Sequence, residues 1–222
     1  MAGELALRYH FDPLCGWCYA CAPALALLAR QHPARLRMMP SGLFHLPRPI
    51  AAIADHAWEN DQRIERLTGQ RFSEAYRRQV LLAPDGVFGS GPLNLALVAL
   101  GAIAPRLEPR FLQAAQHARY VEGRDTAREE VAADIAADVA AAAGHALAPA
   151  ALAAQLREDA DLQAAAESRF AASRAEMAAL GLRGVPQLLI ARGADVTPVD
   201  SALLYNGGAA LLDLIANRLR AA

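Results

Sequence analysis

The sequence has no lysine, and it has no cysteine outside one stretch of ten residues. Its 22 basic side chains other than histidine are all arginines, and they nearly balance 23 acidic side chains. A net charge of −1 gives no electrostatic reason to expect nucleic acid or a charged membrane surface as a partner. The N-terminal segment lacks the basic and apolar regions of a signal peptide, and the longest apolar run, residues 93–104, is too short to span a bilayer. We therefore expect a soluble, cytoplasmic protein that binds neither nucleic acid nor membrane.

What remains is a chain of 222 residues that is 55% hydrophobic. That length suits one domain, or one domain with a sizeable insertion, and it is ample for a real core. The apolar content excludes a disordered chain.

The first 43 residues predict a strand, a helix and a second strand. Residues 4–11 alternate in side-chain character, as in a half-buried strand, and Asp12-Pro13 ends the run. A helical pattern extends from Cys15 to about Arg30, although Pro23 should kink it. Residues 34–43 then alternate apolar side chains with arginines, which favours a second strand.

The middle of the chain, from about residue 47 to 180, has an almost entirely helical composition. Residues 91–105 are apolar on nearly every side, as in a helix buried within a bundle. Thr126 and Glu129 have the spacing of a capping box, and Gly144 closes the helix that follows. Residues 160–180 place apolar side chains three or four apart, which predicts one helix with a single buried stripe.

The spacing of the apolar residues changes from a helical to a strand-like pattern after Gly181. A short apolar run predicts a strand at 187–191, followed by a hairpin partner and an amphipathic helix over 208–220. Strands at both ends of the chain with helices between them indicate an α/β fold whose central sheet is interrupted by a helical insertion. The domain prediction is residues 1–44 with 181–222, and the insertion 45–180.

The stretch DPLCGWCYAC, residues 12–21, contains all three cysteines. A C-x-x-C at a helix start, directly after a strand, has a chemical rationale. The helix N-terminus stabilises a thiolate on Cys15, and Cys18, one turn further on, is within disulfide reach. We therefore expect Cys15 to be partly exposed and Cys18 to be shielded.

Metal binding is the main alternative for these cysteines. A structural zinc site needs four ligands, but there is no fourth cysteine and the six histidines stand singly. Cys21 is either a small buried apolar residue or a third redox thiol. Asp12 either caps the helix or assists in removing a thiol proton. Trp17 either packs over the disulfide or offers an apolar contact to a substrate.

The sequence FDPLCGWCYACAPAL, a long helical middle and GVPQLLI near the C-terminus together resemble the DsbA-like branch of the thioredoxin superfamily. Within that branch the chain is most similar to the FrnE-like predicted protein-disulfide isomerases. The resemblance implies a thioredoxin-like fold with a large all-helical insertion. It also implies that the chain is a thiol-disulfide oxidoreductase or isomerase acting on protein or small-molecule disulfides.

The resemblance also implies roles for particular residues. Cys15 would attack and Cys18 would resolve, while Trp17, Val185 and a cis Pro186 would face the substrate. It implies no metal and no cofactor beyond the redox-active cysteine pair, with glutathione as a candidate thiol. The direction of electron flow stays open, because the Gly16-Trp17 dipeptide, which tunes the redox potential in these families, differs from those of thioredoxins and of the periplasmic oxidant. The sequence also leaves the substrate, the electron donor and the oligomeric state open.

Two other functions stay open at this point. The same branch contains glutathione-dependent kappa-class transferases and hydroxychromene-carboxylate isomerases, which have the same layout but carry serine where Cys15 stands. The other is a non-catalytic carrier that binds a metal or thiol through Cys15, Cys18 and Cys21.

Overall fold

The computed structural model describes residues 4–206 and 208–220 and contains one four-stranded sheet. Its strands are β1 (Leu5–Phe11), β2 (Leu36–Pro40), β5 (Gln187–Arg192) and β6 (Asp195–Pro198), in the spatial order β2-β1-β5-β6. β1 pairs in parallel with β2 and antiparallel with β5, and β5 pairs antiparallel with β6. The predicted strands at both ends of the chain are therefore confirmed.

Helices account for most of the remaining chain. They are α1 (Gly16–Ala20), α2 (Ala22–Gln31), α3 (Ala54–Thr68), α4 (Glu74–Tyr76), α5 (Gly91–Ile103), α6 (Leu107–Tyr120), α7 (Glu129–Ala141), α8 (Pro149–Glu158), α9 (Ala160–Ala179), α10 (Ala202–Tyr205) and α11 (Gly208–Arg220). A 3₁₀ turn at Ile50–Ala52 precedes α3, and a π-helical segment at Arg77–Leu81 follows α4. No helix in the described ranges is long and apolar enough to cross a membrane.

The helix predicted over 15–30 is divided into two. The first part ends at Ala20, Cys21 caps both helices, and the second part begins as α2, in which Pro23 occupies one of the first two positions. Proline is tolerated there because an amide in the first turn of a helix has no partner within that helix. The predicted kink is thus a break, placed just before the proline.

The prediction of a helical middle is confirmed in outline, but two of its details are wrong. It contains a two-residue ladder between β3 (Arg48–Pro49) and β4 (Val87–Phe88), which is too short to give an alternating pattern, so the insertion is not all-helical. The capping box is also absent, because α7 begins with Arg128 as its N-cap residue and without a side-chain cap. Thr126 is instead fully buried and accepts a 3.4 Å hydrogen bond from Arg119.

α9 lies against the sheet and carries the predicted buried stripe. The Oγ atom of Ser173 donates to the carbonyl of Met39 in β2 at 3.1 Å and lies 2.8 Å from Nδ1 of His10 in β1. The Nε2 atom of His10 lies 3.0 Å from a carboxylate oxygen of Glu176. These polar contacts attach α9 to β1 and β2, while the domain boundary at residue 180 stays a prediction.

Candidate active site

The dithiol and the Val-Pro step meet at one end of the two central strands, β1 and β5. His10 near the end of β1 pairs with Gln187 at the start of β5, so the residues after β1 and before β5 emerge side by side. The Sγ atom of Cys15 lies 3.6 Å from the carbonyl oxygen of Val185, 170 residues further along the chain. The Val185–Pro186 peptide bond is cis, as the resemblance implies, and Pro186 is buried.

The three cysteines are free thiols that differ in their exposure to solvent. Cys15 retains 8% of its accessible surface, whereas Cys18 and Cys21 retain none. Burial, together with the neighbouring Cys15 thiol, raises the pKa of Cys18 well above its ordinary value. Burial likewise raises the pKa of Cys21 to about 12. Cys18 and Cys21 are therefore neutral thiols at physiological pH. Cys18 is shielded as predicted, whereas Cys15 is also buried rather than partly exposed, although it is the one of the three that keeps some accessible surface.

The carboxylate of Asp12 accepts hydrogen bonds within and around the loop that carries Cys15, and none from the first amides of α1. Its Oδ1 atom accepts from the amide of Leu14, and its Oδ2 atom accepts from the amide of Phe44 and the hydroxyl of Ser90, each at 3.0 Å. The predicted capping role is therefore wrong, because Cys15 is the N-cap residue of α1 and makes no side-chain cap. Asp12 instead ties this loop to the 41–47 loop and to the start of α5.

Trp17 separates the two cysteines and is half-buried. Its ring packs against Tyr205 in α10, with 5.3 Å between the ring centroids. On its other side it borders a cleft of about 250 Å³ whose walls include Cys15, Arg48, Asp61 and Tyr76. A larger groove of about 670 Å³ lies between the 45–47 loop and residues 125–129, but none of the cysteines lines it. The smaller cleft is therefore the one that matters for thiol chemistry.

Arg48 lies at the cleft on two aromatic rings. Its guanidinium carbon is 5.0 Å from the ring centroid of Phe88 and 5.6 Å from that of Phe44. Such cation–π contacts hold the charged group in place while it remains exposed to solvent.

A polar cluster lies on the far wall of the cleft. The phenol of Tyr76 donates to Oδ2 of Asp61 at 3.1 Å, and the fully buried Arg119 lies 5.6 Å from the centroid of the Tyr76 ring. The phenol of Tyr120 donates to the carbonyl of Leu14, next to Cys15, at 2.9 Å. Burial raises the pKa of Asp61 from 3.8 to about 7, against the opposing effects of Tyr76 and Arg119.

Asp61, Tyr76 and Arg119 are not among the site residues predicted from the sequence. A signal for Asp61 exists in α3, because Asp61 falls between Trp58 and Ile64 at helical spacing and so lies on the apolar stripe. A carboxyl on the buried face of an amphipathic helix is unusual enough to mark a candidate site. Tyr76 and Arg119 give no comparable pattern.

The candidate metal ligands do not come together in the part of the chain that the structure describes. No group of three or more cysteine, histidine, aspartate or glutamate side chains is arranged there to hold a metal ion, and that includes the three cysteines.

Comparisons with known proteins agree with this geometry. The family model described as the DSBA-like thioredoxin domain matches residues 6–204. The structure is similar to the cytosolic disulfide reductase DsbM from Pseudomonas aeruginosa, with a TM-score of 0.83 and 29% identity over 98% of this chain and 100% of that one. The same reductase, in a structure with GSH, matches with a TM-score of 0.79 and 30% identity over 97% of this chain and 99% of that one.

A more distant similarity shows the fold alone. A 2-hydroxychromene-2-carboxylate isomerase matches with a TM-score of 0.53 and 17% identity over 96% of this chain and 95% of that one. Among curated proteins, the comparison finds no match to this chain.

Proposed function

Because the chain belongs to the family of DSBA-like thioredoxin domains and is a thiol-disulfide oxidoreductase, we propose that Cys15 and Cys18 are its redox pair. The observation that carries the proposal is the placement of Cys15. Its sulfur lies at the cleft and 3.6 Å from the Val185 carbonyl, while Cys18 is sealed one turn behind it.

In this proposal the Cys15 thiolate attacks one sulfur of a substrate disulfide. A mixed disulfide forms between Cys15 and that half of the substrate, and the other half leaves with the electron pair of the broken bond. Cys18 then attacks the Cys15 sulfur, closes the Cys15–Cys18 disulfide and releases the second half. Because its pKa is raised, Cys18 stays protonated until the mixed disulfide is next to it, which makes it the resolving thiol.

We propose that Trp17, Val185 and Pro186 contact the substrate. Trp17 offers the exposed part of its ring at the border of the cleft, and the Val185 carbonyl faces the attacking sulfur. An extended substrate strand laid beside Val185 would gain main-chain hydrogen bonds there, as in other cases of strand addition.

We further propose that the chain works in the cytoplasm as a reductase of protein or small-molecule disulfides, with glutathione as the thiol that restores the dithiol. Two similarities support this proposal. DsbM is a cytosolic disulfide reductase and is 29% identical over nearly the whole chain, and its structure with GSH matches at 30% identity. The finer likeness to FrnE-like isomerases stays a prediction.

Substitution of each cysteine tests the proposal. Cys15→Ser should abolish reduction of insulin disulfides, while Cys18→Ser should accumulate a mixed disulfide on Cys15 that mass spectrometry detects. Cys21→Ala is the matched control and should retain most of the activity. Omitting glutathione should stop turnover after one equivalent of disulfide. Equal activity of the Cys15→Ser and Cys18→Ser variants would refute the assignment of roles, and turnover independent of added thiol would refute the role of glutathione.

A further inference from the structure

Asp61 is the least satisfied of the buried carboxyls. Three acidic residues with less than 5% of their surface exposed occur in the described ranges, namely Asp12, Asp61 and Glu108. Asp12 accepts three hydrogen bonds, and Glu108 accepts two from Arg169 at 2.7 and 2.9 Å. Asp61 accepts one, from Tyr76, through Oδ2. Its Oδ1 atom is thus available to another partner.

That oxygen faces the start of α1. A Cβ atom built on Gly16, the residue next to Cys15, would lie 2.6 Å from Oδ1 of Asp61, which is closer than two such atoms approach in proteins. Gly16 therefore leaves the space that the carboxyl occupies. Because Asp61 and Cys15 both line the 250 Å³ cleft, a substrate sulfur bonded to Cys15 enters a space that the carboxyl also borders.

The groups that face Asp61 come from several elements and include cationic arginines. Tyr76 of α4 donates to it, Arg119 and Tyr120 approach from α6, Cys15 lies before α1, and Arg48 and His56 line the same cleft. Burial outweighs the hydrogen bond and the arginine, so that the pKa rises to about 7. Both forms of the carboxyl are then present at neutral pH, as a group that gives and regains a proton requires.

We propose that Asp61 is the proton donor to the thiol that leaves when Cys15 attacks a disulfide, an inference that rests on the proposed function. The Cys15 sulfur forms a bond to one substrate sulfur while the disulfide bond breaks. The departing sulfur takes the electron pair of that bond together with the Asp61 proton, and so leaves as a neutral thiol. Asp61 becomes a carboxylate, and the proton that Cys18 releases on attacking the mixed disulfide restores it.

Two neutral disulfides test this step, because their leaving thiols differ in how much they need a proton donor. 2,2′-Dipyridyl disulfide releases a good leaving group that needs little help, whereas bis(2-hydroxyethyl) disulfide releases an ordinary alkyl thiolate. Mixed-disulfide formation is followed in a Cys18→Ser background, which stops the reaction after the first step. The rate of alkylation by iodoacetamide, which releases no thiol, measures the nucleophilicity of Cys15 in each variant.

Adding Asp61→Asn should slow the reaction with the alkyl disulfide by about 100-fold, while the dipyridyl and iodoacetamide rates stay within about threefold. Asp55→Asn, an exposed acid on the same helix, is the matched control and should change none of the three rates. An unchanged alkyl-disulfide rate, or an equal loss with both disulfides, would overturn the proposal. Failure of the Cys18→Ser protein itself to react with either disulfide would refute the proposed function instead.

Tyr76→Phe provides a second test that does not depend on the folding of the Asp61→Asn variant. It keeps the carboxyl and removes the hydrogen bond that lowers the pKa of Asp61. The ratio of the alkyl-disulfide rate to the iodoacetamide rate should fall as the pH rises through about 7 in the parent. In the Tyr76→Phe variant the same fall should occur at a higher pH, and an unshifted profile would overturn the proposal.

Discussion

Replacing Asp61 with asparagine should make the folded protein more stable at alkaline pH. The pKa of this carboxyl is about 7 in the folded chain against an ordinary value of 3.8. A carboxyl with a raised folded-state pKa binds its proton more tightly in the folded chain, so stability is greatest below 3.8 and declines as the pH rises to about 7. Asparagine cannot ionise, and its amide oxygen can still accept the Tyr76 hydrogen bond.

The size of the effect follows from the difference between the two pKa values. About three pKa units at about 1.36 kcal/mol each correspond to roughly 4 kcal/mol between the protonated and ionised carboxyl. We therefore expect Asp61→Asn to match the parent at about pH 4 and to exceed its free energy of unfolding by roughly 4 kcal/mol at about pH 8.

Urea unfolding followed by circular dichroism at the two pH values, with the thiols kept reduced, measures this difference. With a slope of about 2 to 3 kcal/mol per molar urea, the unfolding midpoint at about pH 8 should rise by about 1.5 M. Asp55→Asn should change the midpoint by no more than about 0.4 M at either pH value, because an exposed charge in the first turn of a helix contributes at most about 1 kcal/mol. A difference between Asp61→Asn and the parent that is equal at both pH values would refute the reasoning, since it could not arise from ionisation.

Three further predictions concern groups around the site. Cys21→Ala should keep most of the stability and activity, because it replaces a buried small side chain with a smaller one, and an activity loss in the insulin assay as large as that of Cys15→Ser would make Cys21 part of the mechanism. Tyr120→Phe should lower the free energy of unfolding in urea by about 1 to 2 kcal/mol, because it leaves the Leu14 carbonyl without its donor, and an unchanged value would show that this bond adds nothing. His10 should remain neutral when the pH falls through 6.5, since burial lowers its pKa, and ring NMR signals that titrate at 6.5 would contradict this.

The sequence predicts the fold well where the hydrophobic pattern is long or where glycine and proline mark its ends. The alternation over residues 4–11, the apolar run after Pro186 and the stripe of α9 each correspond to an observed element, because burial of one face imposes a period on the residues. The ladder between Arg48–Pro49 and Val87–Phe88 could not be predicted, since two residues carry no period.

The candidate site divides in the same way. Cys15 and Cys18 can be identified in the sequence because the C-x-x-C spacing at a helix start indicates thiol–disulfide chemistry. The role of Val185 follows from the resemblance. Asp61 contributes through a helix that the sequence places far from the dithiol, and only the folded packing of α3 on α1 brings them together. Asp12 stands out in the sequence beside the cysteines, but its partners Phe44 and Ser90 lie 32 and 78 residues away, so its role depends on long-range contacts.

Because β1 pairs with β5, the surroundings of the cysteines are completed only late in translation. Cys15 leaves the ribosome well before Val185, whose carbonyl faces it and which is translated 170 residues later. At about 5 to 20 residues per second, the cysteines spend roughly 9 to 34 s without that half of their surroundings. During translation the three thiols therefore depend on the reducing power of the compartment, because the walls that later shield Cys18 and Cys21 have not yet been made.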